Sequence, residues 1–211
     1  MCKKIIIIGA GDLGQLLAHH ITHDAQQTIV GFLDDTMVKE TIVDGFPVLG
    51  GIQDAQTIFN KGLCDAAIVA IGYNHFEFRA SVFEDIKQIM PIYSFIHSSA
   101  YIDPSTKIGD GVVVLPGCVI DKGCVIEDNV LMNAGVVIAH DSKVMKHSFL
   151  GPAVKIAGFT TIGSKCFLGI NATILNNLKI SDTVLIAAGA LVNKSITERG
   201  TYIGVPAKLK L

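Results

Sequence analysis

A period of six is the feature that most limits what this 211-residue chain can fold into. Stepping by six gives Ile102, Ile108, Val114, Ile120, Ile126, Met132, Ile138, Val144, Leu150, Ile156, Ile162, Leu168, Ile174, Ile180, Ile186 and Val192. All sixteen positions are aliphatic or methionine, and no insertion breaks the register. A composition that is 50% hydrophobic does not produce such a run by chance. Four residues after many of these stands a small residue, as at Cys118, Cys124, Ser142, Ser148, Thr160, Cys166, Ala172 and Ala190. The residue directly after the aliphatic one is often a turn former, as at Gly109, Asp121, Asn133, Gly151, Gly163 and Gly169.

Helices repeat every 3.6 residues and strands every two. A period of six is one short flat strand plus a turn, and three such units close a triangular coil. The large side chain fills the prism and the small one sits where the walls crowd. The pattern predicts a left-handed parallel β-helix of about five coils whose strands lie about 4.8 Å apart. The cysteines at small positions read as packing residues rather than nucleophiles.

The chain before the repeat has a different grammar. Strand-like stretches at 4–8, 28–33, 66–71 and 91–95 alternate with helical spacing at 12–23, 52–61 and 76–89. Strands alternating with helices predict a parallel α/β sheet with crossover connections. With about four strands it is at most half of a doubly wound domain. The expected organisation is a small Rossmann-like domain over 1–97 and a β-helix domain with a C-terminal tail over 98–211.

Composition narrows the function classes. Charged residues are 17% of the chain and the formal net charge is −2, which excludes a disordered chain and provides no footprint for nucleic acid or an anionic membrane surface. No stretch reaches the run of about 18 apolar residues that a membrane span needs. The apolar run after Lys3-Lys4 stops at Gly9, too early for a secretory segment. Five cysteines without a C-x-x-C pair suggest neither a disulfide framework nor a zinc knuckle, so a cytoplasmic protein is expected.

Gly9-Ala10-Gly11-Asp12-Leu13-Gly14 is a G-x-G-x-x-G between an expected strand and helix. Glycines there let the backbone approach a phosphate at a helix N-terminus. Asp34 and Asp35 follow at the end of the second strand, where a ribose or base is held. A tight turn without a ligand is the alternative. The missing second half disfavours a dinucleotide and favours a smaller package such as a nucleotide sugar. Gly72, after the third strand, either admits a ligand or only starts the next helix.

His140-Asp141 is the sharpest polar feature of the repeat. A carboxylate beside an imidazole suits a general base near neutral pH. Gly158 and Asn176 stand one and two coils further, where stacked backbone N–H groups can form an oxyanion hole. A solvent-exposed turn histidine is the alternative. His97 and His147 raise the possibility of zinc, but no pair has the spacing of ligands on one face, so no metal is expected.

The glycine loop with Leu33-Asp34-Asp35, the repeat carrying Asn133, His140-Asp141 and Gly169-Ile170-Asn171, and the closing Gly204-Val205-Pro206-Ala207-Lys208 resemble the sialic-acid O-acetyltransferase-like (NeuD/PglD-type) sugar acyltransferases. Among them the chain looks most like the nucleotide-sugar N-acetyltransferases that acetylate a 4-amino-4,6-dideoxy sugar. The resemblance implies a homotrimer with active sites between neighbouring β-helices and acetyl-CoA as cosubstrate. It implies His140 as general base, Asp141 raising its basicity and Asn133 positioning the histidine or the substrate. Nucleotide-sugar contacts would fall on Gly11, Asp12, Leu13, Asp34, Asp35 and Gly72, and acetyl-CoA contacts on Phe149, Gly158, Ile170 and Ala188. Some relatives carry His in place of Phe149 and Gly in place of Ala188. O-acetylation of sialic acid-like sugars is the nearest competing expectation. A non-catalytic nucleotide-binding trimer and a zinc-dependent β-helix protein are the others.

Overall fold

The structure, a computed structural model, describes residues 2–210. The chain divides into two compact units, Met1–Phe95 and Ile96–Leu211.

The first unit comprises β1 (Lys4–Ile8), α1 (Asp12–His23), β2 (Thr28–Leu33), β3 (Ile42–Val43), β4 (Phe46–Gly50), α2 (Ala55–Asn60), β5 (Ala66–Val69) and α3 (Phe76–Ile89). These strands form a sheet in the order β3-β4-β2-β1-β5. β1 lies inside it, parallel to β2 and β5. Ile5, Ile6, Ile7 and Ile8 are all fully buried, as in a strand whose two faces are both covered.

One hairpin departs from expectation. β3 and β4 pair antiparallel, Val43 opposite Phe46, and β4 then runs parallel to β2. Pro47 has no N–H for a ladder, which hides the strand in the sequence. The signal lies in the turn, where Asp44 and Gly45 both have positive φ, +48° and +84°, as a two-residue type I′ hairpin requires. The expected strand over 91–95 shrinks in this sheet to a single bridge, Ala67 with Ile92.

The second unit is a left-handed β-helix built on three parallel walls. The sixteen aliphatic positions all fall in its short strands and pair at 18-residue steps: Ile120 with Ile138 on the first wall, Ile126 with Val144 on the second, and Met132 with Leu150 on the third. From Val114 to Val192 every one of them is buried. The small positions do more than avoid crowding. Those that are Cys, Ser or Thr reach a carbonyl of the next coil: Cys118 Sγ to Asn133 O (3.1 Å), Cys124 Sγ to Ala139 O (3.3 Å), Ser142 Oγ to Ala157 O (3.1 Å), Ser148 Oγ to Gly163 O (2.8 Å), Thr160 Oγ1 to Leu175 O (2.9 Å) and Cys166 Sγ to Ser181 O (3.1 Å).

The corners carry a second six-residue period. From Gly111 to Gly189 every sixth residue lies in the left-handed region, with φ between +55° and +72°. Gly, Asn and Asp fill many of these positions, as their low cost there dictates. His147, Ala153, Phe159, Lys165 and Thr183 do not fit that rule. Among the described residues, no helix is long and apolar enough to cross a membrane.

Candidate functional site

In the first unit the chain leaves β1 through Gly9, whose φ of +105° and distance to Ala70 O (2.9 Å for an added Cβ) admit only glycine. A Cβ on Gly14 would collide with Gly9 O. These two glycines therefore pack the loop. Gly11 instead has open space around it. It stands at the start of α1 with no side-chain cap, so the first-turn N–H groups of Asp12 and Leu13 are available to an anion.

The loop borders a cavity of about 490 Å³ lined by Gly9, Gly11, Leu33, Asp34, Asp35, Thr36, Ile52, Ala70, Ile71, Gly72, His75 and Phe78. Four of the expected residues, Gly11, Asp34, Asp35 and Gly72, thus come together, with Asp12 and Leu13 directly behind Gly11. The carboxylate of Asp34 is largely occupied by its own loop. It accepts from Ala10 N–H (2.8 Å), Thr36 N–H (2.8 Å) and the Thr36 hydroxyl (2.6 Å). Burial alone would raise its pKa, but these hydrogen bonds outweigh burial and hold it below the ordinary aspartate value. Asp35 Oδ1 accepts from Ile52 N–H (2.7 Å). Both aspartates therefore shape the cavity floor before they meet any ligand. Sequence reasoning missed Thr36, Ile52, His75 and Phe78. The Asp34-x-Thr36 turn was a readable signal for Thr36, while the other three converge from separate segments.

In the second unit, His140 and Asp141 form one corner. Asp141 has φ +57°, and its Oδ2 lies 3.0 Å from His140 Nδ1. The two side chains are about half exposed, at 47% and 42%. Gly158 lies beside the ring one coil on, where an added Cβ would stand 2.9 Å from His140 Cε1 and 3.0 Å from Nε2. Gly158 O accepts from Asn177 N–H (3.0 Å), whereas its own N–H has no bond among the described residues. Phe159 N–H donates to His140 O (3.1 Å). Its ring stands 5.0 Å from the imidazole at 86°. An imidazole oriented at one nitrogen, with a glycine backbone packed against the other side of the ring, is an arrangement suited to acyl transfer.

The remaining expected residues are distributed. Asn133 turns the edge between the third and first walls, and its amide donates to Leu150 O (3.1 Å) rather than to His140. Ile170 and Ala188 share that edge one coil apart, with Gly189 N–H bonded to Ile170 O (2.8 Å), and Ile170 is 58% exposed. Phe149 faces outward on the third wall, pairs with Phe167 and stacks on its ring at 5.8 Å. One chain thus places Gly158 on the His140 edge and the other three residues elsewhere. His97 Nδ1 takes Ser99 N–H (3.1 Å). His147 is buried with its Nδ1 3.0 Å from Asn129 Nδ2. Among the described residues no three His, Cys, Asp or Glu side chains group as a metal site would.

Known proteins match both units. Residues 4–86 match the PglD N-terminal domain. The UDP-3-O-acylglucosamine N-acyltransferase of Bordetella avium is 38% identical over 78 residues, 37% of this chain. The chain covers only 22% of that protein's length. Over nearly the whole chain, the structure resembles PerB from Caulobacter crescentus in complex with CoA and GDP-perosamine, with TM-score 0.91 and 28% identity over 98% of this chain and 97% of that one. It also resembles the acetyltransferase domain of PglB from Neisseria gonorrhoeae in complex with acetyl coenzyme A, with TM-score 0.91 and 26% identity over 100% of both chains. The chain thus joins a region that matches the PglD N-terminal domain to a left-handed β-helix, and over its length it is similar in structure to sugar acetyltransferases of known structure.

Proposed function

We propose that this protein is an acetyl-CoA-dependent N-acetyltransferase acting on a nucleotide-linked 4-amino-4,6-dideoxy sugar. The observation that carries the reading is the His140 corner: Nδ1 tethered to Asp141 at 3.0 Å and the ring seated against Gly158. The first unit holds the nucleotide, with its diphosphate at the start of α1 and its nucleoside over Asp34, Asp35 and Gly72. The similar PerB structures hold CoA and GDP-perosamine, and in two of them a histidine has been replaced.

His140 Nε2 takes a proton from the sugar amine as its nitrogen attacks the thioester carbonyl carbon. A C–N bond forms, and the Gly158 N–H stabilises the developing oxyanion. The C–S bond then breaks, and the proton passes from His140 to the departing thiolate. The products are the N-acetyl sugar and free CoA, with no acyl-enzyme. Asn133, Phe149, Ile170 and Ala188 lie away from the His140 edge of their own chain; in this reading of a homotrimer, Asn133 positions the histidine or the substrate of a neighbouring chain, and Phe149, Ile170 and Ala188 act on the acetyl-CoA path. An exposed apolar stripe on the first wall supports self-association: Tyr101, Val119 and Val137 stack in register and are 56%, 39% and 36% exposed.

The test is CoA release from acetyl-CoA with UDP-, GDP- and dTDP-linked 4-amino-6-deoxy sugars and with free sialic acids. Turnover with a nucleotide amino sugar, reduced about 10²-fold or more in His140→Ala, is the expected result. Undiminished activity in that variant sinks the mechanism, and turnover with sialic acids alone replaces N- by O-acetylation.

A further inference from the structure

Along the edge that bears His140, the left-handed corner residues are Gly123, Asp141, Phe159 and Asn177, coil by coil. Gly, Asp and Asn visit this conformation readily, and a bulky aromatic residue does not. Phe159 nonetheless has φ +57°, and its side chain gains little burial in exchange, remaining 57% exposed. On the other two edges of the β-helix the same conformation is taken by His147, Ala153, Lys165 and Thr183, so what sets Phe159 apart is where its ring stands. Here the unfavourable backbone holds an aromatic ring at 5.0 Å and nearly perpendicular to the imidazole of His140.

We propose that Phe159 is a specificity-determining residue that reads the deoxygenated C6 of the acceptor sugar. The inference rests on the acetyltransferase reading above. For proton transfer the C4 amine must come within about 3 Å of His140 Nε2. In a 4-amino-4,6-dideoxy pyranose the C6 methyl is three bonds from that nitrogen, about 3 Å away. The methyl is therefore within reach of the Phe159 ring, whose centroid is 5.0 Å from that of the imidazole, when the amine is in place. The opposite neighbour, C3, carries a hydroxyl that would lose its water against an aromatic face. The favoured orientation puts the methyl on the ring and leaves the C3 hydroxyl in solvent. A sugar with a hydroxyl at C6 would have to bury that group on the same face without a partner.

The test uses two nucleotide-linked 4-amino sugars that differ only in a methyl or a hydroxymethyl at C5. The native enzyme should prefer the methyl sugar in kcat/KM by about 10- to 100-fold. Phe159→Asn suits the left-handed corner, so its melting temperature should not fall. In that variant the preference should shrink to within about threefold, through loss on the methyl sugar. Phe159→Leu, which restores an apolar surface, should recover part of it. A preference unchanged in Phe159→Asn overturns the proposal. So does a variant that alters the choice between acetyl-CoA and propionyl-CoA while leaving the sugar preference intact, because the ring would then face the acyl donor. Native enzyme that acetylates neither sugar overturns the acetyltransferase reading itself, which is distinguished by being seen before any variant is made.

Discussion

Gly158 is the residue whose chemistry is easiest to isolate. Its backbone lies outside the left-handed region, so alanine is acceptable to the main chain, and the only new atom would stand about 3 Å from the His140 ring. Gly158→Ala should therefore leave the β-helix intact and push the imidazole off its position. Since a displacement of about 1 Å at a reacting group costs on the order of 10² in rate, acetyl transfer should fall by about 10- to 100-fold with little change in melting temperature. Steady-state kinetics beside a thermal melt checks this, and unchanged kcat would show that the ring has room to spare. The two aspartates after β2 illustrate the opposite situation. They look like free ligands in the sequence, but Asp34 is drawn inward by Ala10 and Thr36. A carboxylate two residues before a threonine could have been read as a turn, while its bond to Ala10, 24 residues away, could not.

Among the elements, the coil is stabilised twice over, by aliphatic residues in the prism and by side-chain donors bridging successive coils. Cysteine serves in the second role at 118, 124 and 166, and its burial has a chemical consequence. Desolvation raises the pKa of each thiol, to about 11 for Cys166, so little reactive thiolate exists near neutral pH. Of the five cysteines, only Cys2 is exposed. A disulfide thiol reagent should label one equivalent rapidly in the native protein and the other four only on unfolding. Rapid labelling of a second equivalent would mean that the coils open on the timescale of the assay. The walls were legible because each aliphatic residue recurs at a fixed step and each strand pairs with an identical neighbour. The β3–β4 hairpin was harder to see: its strands are short, one contains proline, and only Asp44-Gly45 marked the turn.

At the scale of the whole molecule, the proposed homotrimer makes a separable prediction. Val119 and Val137 point outward on the first wall and are not part of the coil's filling. Val119→Glu with Val137→Glu should leave the β-helix folded and place like charges on the stripe. Light scattering coupled to size exclusion should then report monomers in place of trimers, with acetyl transfer lost because the acetyl-CoA path needs a neighbouring chain. A trimer that survives both substitutions would move the association surface to another wall.

What the amino-acid order determined by itself is the part of the protein governed by repetition and local geometry. The six-residue step dictates walls and an 18-residue coil because one prism radius admits one side-chain size. That register alone stacks Gly158 on His140. The glycine loop is equally local, since Gly9 and Gly14 are demanded by backbone atoms close to them in the βα unit. Tertiary structure decided whatever depends on groups from unrelated segments arriving together. Ile52, His75 and Phe78 share a cavity with Asp34 only after the sheet has twisted and its crossovers have closed. Phe159 reads as an ordinary apolar residue until its φ and its ring beside His140 are seen. Periodicity specifies where a side chain starts, and packing in three dimensions specifies what it meets.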